Sequence, residues 1–251
     1  MLQLKKELKN NIGAIKNEKV FTSNYFYKYN IFATDNEISI DQAGATANID
    51  IEQLGSGNLI GGASAVSGTM TPLDLDGATM TLDVNQLGNS NIFKGDIYAD
   101  SYTGFFEFTG DSNTFAIQTD PNNTYGADSS NVNVQVSGSS NAFTFSQATN
   151  AQASTLDLDW TINGSNNSIT SAIDQDLATN YMNIDGSDNT VTFDGDGYQG
   201  AYFHLTHTGG SRTINVTQQS TLDNDWLKIT SNGSNGTFCV NQNDQGTSTS
   251  C

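Results

Sequence analysis

The chain has 251 residues and a formal net charge of −18, yet only 14% of its residues are charged, against about 25% in an average soluble domain. Residues 36–251 hold 24 acidic residues and 3 cations, a net charge of −21 (3 minus 24) that repels phosphate backbones and argues against nucleic acid as a partner. Ile, Val, Thr, Phe and Tyr are frequent, the chain has 2 prolines, and no apolar run approaches the roughly 18 residues of a membrane span, so we expect an all-β protein without one.

Residues 1–35 form a separate basic and aromatic segment, which we interpret as an attachment segment. Its start predicts a short amphipathic helix with lysines on the other faces, and an aromatic run follows at residues 21–32. A secretory signal needs an uninterrupted apolar stretch, which Asn24, Lys28 and Asn30 break. A degenerate export signal is the alternative. The apolar residues at helical spacing are Leu4, Leu8, Ile12 and Ile15.

A Gly-x-x-Asn unit recurs through residues 36–251, which we treat as one repeat domain. Successive glycines are mostly 22 to 28 residues apart, with a first spacing of 11 and a second of 33. The glycines are Gly44, Gly55, Gly88, Gly110, Gly138, Gly164, Gly186, Gly209 and Gly233. The asparagines three residues later are Asn58, Asn91, Asn113, Asn141, Asn167 and Asn189, whereas Ala47, Arg212 and Gly236 interrupt this position.

Apolar residues occupy fixed positions on both sides of every repeat glycine. Four residues before it stand Ile40, Ile51, Val84, Phe106, Val134, Trp160, Met182, Leu205 and Ile229, and five residues after it stand Ile49, Ile60, Phe93, Phe115, Phe143, Ile169, Val191, Ile214 and Phe238. Positions −6 and +7 are mostly apolar too, so the period is two on each side. The pattern predicts two strands, each with one inward face, joined at a tight corner.

These units predict a β-solenoid of about eight or nine strand–turn–strand coils. Glycine supplies the positive φ angle that a tight corner needs. We expect each repeat asparagine to bond the bent backbone and the same amide one coil away, which forms an asparagine ladder beside an apolar core. The insert at residues 61–77 accounts for the long spacing of 33 and could contain a degenerate half-coil.

Residues 38–60 resemble the repeat of curlin, the subunit of bacterial curli fibres. That unit reads Gln-x-Gly-x-x-Asn-x-Ala-x-x-x-Gln, and Gln42, Gln53 and Gln86 stand two residues before their glycines as it requires. Later units replace the first glutamine, and apolar residues replace the small alanine throughout. The resemblance implies a β-solenoid that stacks on itself, with a thicker core than that of curlin.

The cysteines, Cys239 and Cys251, both lie near the C-terminus of the sequence. Eleven residues separate them, a loop that a disulfide closes easily, with a stabilisation of roughly 2–3 kcal/mol. Neither metal-ligand spacing nor a Cys-x-x-Cys pattern surrounds them. We expect a disulfide that staples the last coil as a cap.

No residue pattern in the chain predicts a catalytic, cofactor or metal site. His204 and His207 fall on opposite faces of a strand, and we expect His207 to be a hydrogen-bonded member of the stack. Acidic pairs could by chance meet the spacing that glycoside hydrolysis requires, but a solvated acidic face is the simpler interpretation. These pairs are Asp157 with Asp159 and Asp174 with Asp176. The clusters Asp74–Asp76 and Asp194–Asp196 leave loop-bound calcium as a weaker alternative.

The sequence therefore favours a non-enzymatic structural or adhesive protein, an exposed subunit of a fibre or appendage. Expected partners are copies of the chain itself and, beyond those, other virion or cell-surface structural proteins or surface glycans. A retained N-terminal segment favours a virion fibre or tail component, while the curlin resemblance favours a secreted filament. The alternative function is that of a polysaccharide-depolymerising β-helix enzyme similar to a tailspike.

Overall fold

A computed structural model of the chain describes residues 20–21, 26–32, 37–38, 40–61, 73–119, 129–147, 153–197, 200–220 and 225–243. Within these ranges the regular secondary structure consists entirely of β-strands, and every strand pairing is parallel. The predicted class, an all-β β-solenoid, is confirmed. The same ranges contain no helix long and apolar enough to cross a membrane.

Twenty strands build the stack. The first ten are β1 (Val20–Phe21), β2 (Phe26–Phe32), β3 (Glu37–Ile38), β4 (Asp41–Ala43), β5 (Thr46–Leu54), β6 (Leu59–Ile60), β7 (Leu73–Leu87), β8 (Ile92–Thr109), β9 (Thr114–Thr119) and β10 (Ser130–Ser137). The others are β11 (Ala142–Gln147), β12 (Ala153–Ser154), β13 (Leu156–Asn163), β14 (Ser168–Asp176), β15 (Thr179–Asp185), β16 (Asn189–Gly197), β17 (Tyr202–Thr208), β18 (Arg212–Ser220), β19 (Trp226–Asn232) and β20 (Gly236–Asn243).

Each coil consists of a leading strand, a glycine corner and a trailing strand. In one coil, β13 leads into the corner at Gly164 and β14 leaves it; β13 pairs with β10 and β15, and β14 pairs with β11 and β16. Leading strands therefore stack into one parallel sheet and trailing strands into a second. The stack contains about six full turns, slightly fewer than the eight or nine coils predicted.

The core lies between the two sheets and runs the length of the stack. Side chains alternate strictly along β13, where Leu158, Trp160 and Ile162 are buried and the residues between them are exposed. The predicted columns at positions −4 and +5 are buried in every described coil except the last. Aromatic rings meet across the core, with centroids 5.1 Å apart for Phe106 and Phe115 and 6.1 Å apart for Phe143 and Trp160.

The parallel pairing begins within the predicted attachment segment. Strand β2, in the aromatic run, pairs with β5 over seven residues, from Phe26 opposite Asn48 to Phe32 opposite Leu54. The sheet thus starts before residue 36, where the sequence analysis places the repeat domain. The predicted helix around Leu4–Ile15 lies outside the described residues, as does the predicted half-coil around Gly68.

Gly44 lies at the opposite corner from the other repeat glycines. Its backbone N–H donates to the carbonyl oxygen of Asp76 at 3.0 Å, and a Cβ atom on Gly77 would overlap the carbonyl oxygen of Gly44. Aligning Gly44 with Gly55 is therefore wrong. Each coil has a second corner, before its leading strand, which we call the return corner. Gly44 lies at a return corner and Gly55 at the following glycine corner, so the 11 residues between them correspond to half of a 22-residue coil.

Candidate structural site at the glycine corner and the last coil

The glycine corners stack directly on one another. Gly164 has a φ of +146°, and its N–H donates to the carbonyl oxygen of Asp185 in the next coil at 2.8 Å. A Cβ atom on Gly164 would overlap the carbonyl oxygen of Gly138, and the same overlap recurs at each later corner glycine with the glycine before it. Both the φ angle and the close backbone approach therefore require glycine here. The glycines stacked in this way are Gly55, Gly88, Gly110, Gly138, Gly164, Gly186, Gly209 and Gly233.

The repeat asparagines form a buried ladder inside the corner. The backbone N–H of Asn91 donates to the side-chain oxygen of Asn113 at 2.8 Å, and the N–H of Asn113 donates to that of Asn141 at 2.7 Å. The Asn113 amide nitrogen donates to the carbonyl oxygen of Gly110 at 3.0 Å. The side-chain amides of Asn58 and Asn91 likewise donate to the carbonyl oxygen of their own corner glycine, whereas those of Asn167 and Asn189 donate to the glycine carbonyl oxygen one coil earlier. From Asn91 to Asn189 each side-chain oxygen accepts the N–H of the asparagine in the coil before. The ladder runs through Asn58, Asn91, Asn113, Asn141, Asn167 and Asn189.

The chemistry of this ladder differs from the expected amide–amide contact. The bond between coils joins a backbone N–H to a side-chain oxygen, so the backbone of the tight corner gains a partner that it would otherwise lack. Arg212 takes the asparagine position in a later coil. Its Nη1 atom lies 3.3 Å from the carbonyl oxygen of Gly209 and 3.4 Å from that of Ser234, so it donates to the same kind of acceptor as the asparagine amide.

A second ladder, which the sequence analysis missed, runs through the residue directly after each glycine. The Asp111 N–H donates to the side-chain oxygen of Asn89 at 2.7 Å, and the Ser139 N–H donates to that of Asp111 at 2.6 Å. These bonds point from a coil to the one before it, opposite to the bonds of the asparagine ladder. The acceptors are Ser56, Asn89, Asp111, Ser139, Ser165 and Ser187. Their common signal is a short side chain with an oxygen acceptor.

The last described coil, β19–β20, leaves its core side uncovered. Phe238 and Val240 are 43% and 47% exposed, while Ile214 and Val216, opposite them in the coil before, are 0% exposed. Leu227 on β19 is only half-buried. Within the described residues, β19 pairs only with β17 and β20 only with β18. The end of the stack therefore presents apolar side chains beside two open strand edges.

The two histidines lie on opposite faces, as predicted. His204 is partly exposed, whereas His207 is buried, and neither of its ring nitrogens has a hydrogen-bond partner among the described residues. The prediction that His207 is hydrogen-bonded is therefore wrong. Burial lowers the pKa of His207 and the nearby Arg212 guanidinium lowers it further, while the charge of Asp185 partly opposes both.

The acidic residues considered for catalysis or calcium do not form one site. Asp157 and Asp159 lie in the leading sheet, whereas Asp174 and Asp176 lie in the trailing sheet. Burial, followed by the charge of Asp157, raises the pKa of Asp159. Asp74 has a raised pKa through burial and the charges of Asp41, Asp96 and Asp76. In the described ranges no three His, Cys, Asp or Glu side chains are grouped to hold a metal ion.

Cys239 lies on β20 and is disulfide-bonded, and Cys251 lies outside the described residues.

No family model, curated protein or solved structure matches the chain. The geometry of the corner and of the last coil therefore carries the functional argument.

Proposed function

We propose that the chain is a non-enzymatic structural and adhesive protein, a subunit of an exposed fibre or appendage that stacks on copies of itself. Its place is the extracellular space, a cell surface or a virion. Further partners of such an appendage are other virion or cell-surface structural proteins and surface glycans.

The open last coil is the observation that carries this proposal. Leu227, Phe238 and Val240 occupy positions that are buried in the preceding coils, so covering them with another coil removes apolar surface from water. The edges of β19 and β20 lie beside them and can accept further parallel strands. At the other end of the described stack, β2 pairs only with β5. A second copy can therefore continue the sheets at either end.

The resemblance of residues 38–60 to the curlin repeat supports the same function, because curlin units stack into extracellular fibres. The formal net charge of −18 fits a surface that is exposed to water. The two ladders of hydrogen bonds at the corner also fit a structural fibre, because they join a coil to both of its neighbours.

Electron microscopy and sedimentation of the purified full chain test this proposal. We expect filaments or particle-bound appendages for the natural chain, and dispersed single copies for Ile229→Lys, which places a charge among the uncovered core residues. Thr230→Lys adds the same side chain to the next, exposed position of β19 and should assemble normally. Circular dichroism checks that both variants fold. Single copies only, with neither filament nor particle association in the natural chain, would contradict the proposal.

A polysaccharide-depolymerising enzyme is the second candidate. Asp159 lies opposite Tyr181 in the next coil, and the exposed Trp226 stacks on Tyr202 with ring centroids 4.1 Å apart. An acidic pair beside aromatic rings is a surface on which a sugar chain could be held and cleaved. Release of reducing ends from polysaccharide, lost in Asp157→Asn or Asp159→Asn, would establish this function in place of the structural one.

A further inference from the structure

Threonines and other short, uncharged residues form two columns on the outer face of the trailing sheet. We call these columns the threonine array. The first column contains Thr114, Ala142, Ser168, Thr190, Thr213 and Thr237, and the second contains Ala116, Thr144, Thr170, Thr192 and Asn215. Their side chains alternate with buried core residues, as Ser168 and Thr170 do with Ile169. The array therefore occupies outward-facing positions of the same strands whose inward-facing residues form the core.

The strand register aligns the array into a regular grid. Ser168 lies opposite Thr190 and Thr170 opposite Thr192, and Thr190 and Thr192 lie opposite Thr213 and Asn215. Neighbouring strands are about 4.8 Å apart, and alternate residues of a parallel strand are about 6.6 Å apart. The grid therefore places short side chains, most of them threonines, at two fixed spacings in perpendicular directions.

No residue of the array is charged, although Lys94 lies opposite Ala116 at one end of it and the exposed Asp194 follows Thr192 on the same face. The outward positions of the leading sheet carry Asp50, Glu52, Asp83, Glu107, Asp157 and Asp159. A neutral surface with hydroxyl groups on a highly acidic protein fits a neutral partner that offers hydrogen bonds and has no need of ion pairs. Threonine is stiff at χ1, so the ordering cost of binding a rigid partner is small.

We propose that the threonine array binds the surface of ice. Ice presents water oxygens as a periodic array of hydrogen-bond donors and acceptors, with repeats of similar size to those of the grid. Threonine hydroxyls bond these waters, and the methyl groups between them fill the gaps of the lattice. This activity does not depend on self-assembly, because one chain already carries the rows from β9 to β20.

Ice partition and thermal hysteresis of the purified full chain test the proposal, at a dilution where sedimentation shows a single species. We expect the natural chain to be enriched in slowly grown ice and to lower the freezing point below the melting point. Thr170→Lys combined with Thr192→Lys places two charges side by side in the array, and we expect both activities to be lost.

The matched control is Thr161→Lys combined with Asn183→Lys. These exposed residues are also side by side, on β13 and β15 in the opposite sheet, so the control adds the same two lysines without touching the array. It should bind ice as the natural chain does. If circular dichroism shows that the array variant is unfolded, Thr144→Lys replaces it.

Three results would overturn the proposal. One is exclusion of the natural chain from growing ice, and another is full retention of ice binding by the folded array variant. The third is binding to crystalline polysaccharide without ice binding, which would assign the array to a different surface. Failure to form filaments bears only on the structural function proposed above.

Discussion

The carbonyl oxygen of Gly138 lies where a Cβ atom at position 164 would have to be. The backbone of one coil therefore limits the residue type in the next, and this limit passes from corner to corner along the stack. The residue type at position 164 is therefore limited to glycine by Gly138, which lies 26 residues earlier in the sequence and at the same place in the preceding coil.

Gly164→Ala should lower the free energy of unfolding by at least about 3 kcal/mol, because the φ of +146° and the overlap with Gly138 both oppose a Cβ atom. Chemical denaturation followed by tryptophan fluorescence measures the loss. Gly210→Ala is the control, since its Cβ atom would meet the Ser187 hydroxyl at 3.4 Å and two oxygen atoms of Ser234 at 3.9 Å, all ordinary contact distances. Equal stability of the two variants would show that the corners are not closely stacked.

Asn113→Ala should lower the free energy of unfolding by about 3 kcal/mol, because it leaves the buried N–H of Asn91 and the carbonyl oxygen of Gly110 without their bonds. Asn183→Ala removes the same side chain from an exposed position and should change stability by less than about 0.5 kcal/mol. Thermal and chemical unfolding compare the two. A loss at position 113 no larger than that at position 183 would rule out the asparagine ladder as a stabilising element.

Two neighbouring serines should respond in opposite ways to glycine. Ser140 has a φ of +61°, a strained angle that glycine adopts freely, so Ser140→Gly should gain about 0.5–1 kcal/mol. The Ser139 hydroxyl accepts the N–H of Ser165 at 3.1 Å, so Ser139→Gly should lose about 1 kcal/mol. Because both variants add one glycine, the difference between their unfolding free energies isolates the role of position. Effects of the same sign at both positions would contradict this account of the corner.

The contribution of His207 to stability should fall as the pH decreases below about 6.5, where unfolded histidine takes up a proton. Burial and the Arg212 charge lower the pKa of His207 in the folded chain, although Asp185 opposes this, so the folded state resists protonation while the unfolded state accepts it. The contribution is present above this range and is lost on acidification.

Unfolding free energies measured from pH 8 to pH 5 check this expectation. In His207→Ile the decrease should be smaller, because the titrating ring is gone. Isoleucine should fit this position, since Ile184 occupies the matching position in the preceding coil. His204→Gln changes the partly exposed histidine and should retain most of the pH dependence. An unchanged pH profile in His207→Ile would remove His207 as its source.

Alternating apolar residues allowed the coil and its inward columns to be predicted, because burial between two sheets imposes a period of two on each strand. Trp160 and Ile169 illustrate this, since both were placed in the core from position alone and both are buried. Gly44 was misaligned because the two corners of a coil are half a repeat apart and both use glycine.

The second corner ladder was missed because its acceptors are chemically mixed. Ser56, Asn89 and Asp111 share only a short side chain with an oxygen, and no single residue type marks the position. That the His207 ring has no hydrogen-bond partner among the described residues was also unpredictable, since a two-residue period places a side chain in the core but does not supply its partners. The strand β2 was overlooked because no Gly-x-x-Asn unit follows it in the sequence before Gly44.

The segments between coils differ in length, since successive corner glycines from Gly55 to Gly233 are 22 to 33 residues apart, whereas the corner bonds repeat with little change. Length variation is therefore absorbed at the return side of the coil, away from the ladders. A gene encoding such a chain can duplicate or delete one whole unit and still produce matching donors and acceptors at the junction. The length of the rod is thus free to evolve in steps of one coil, independently of the chemistry that joins the coils.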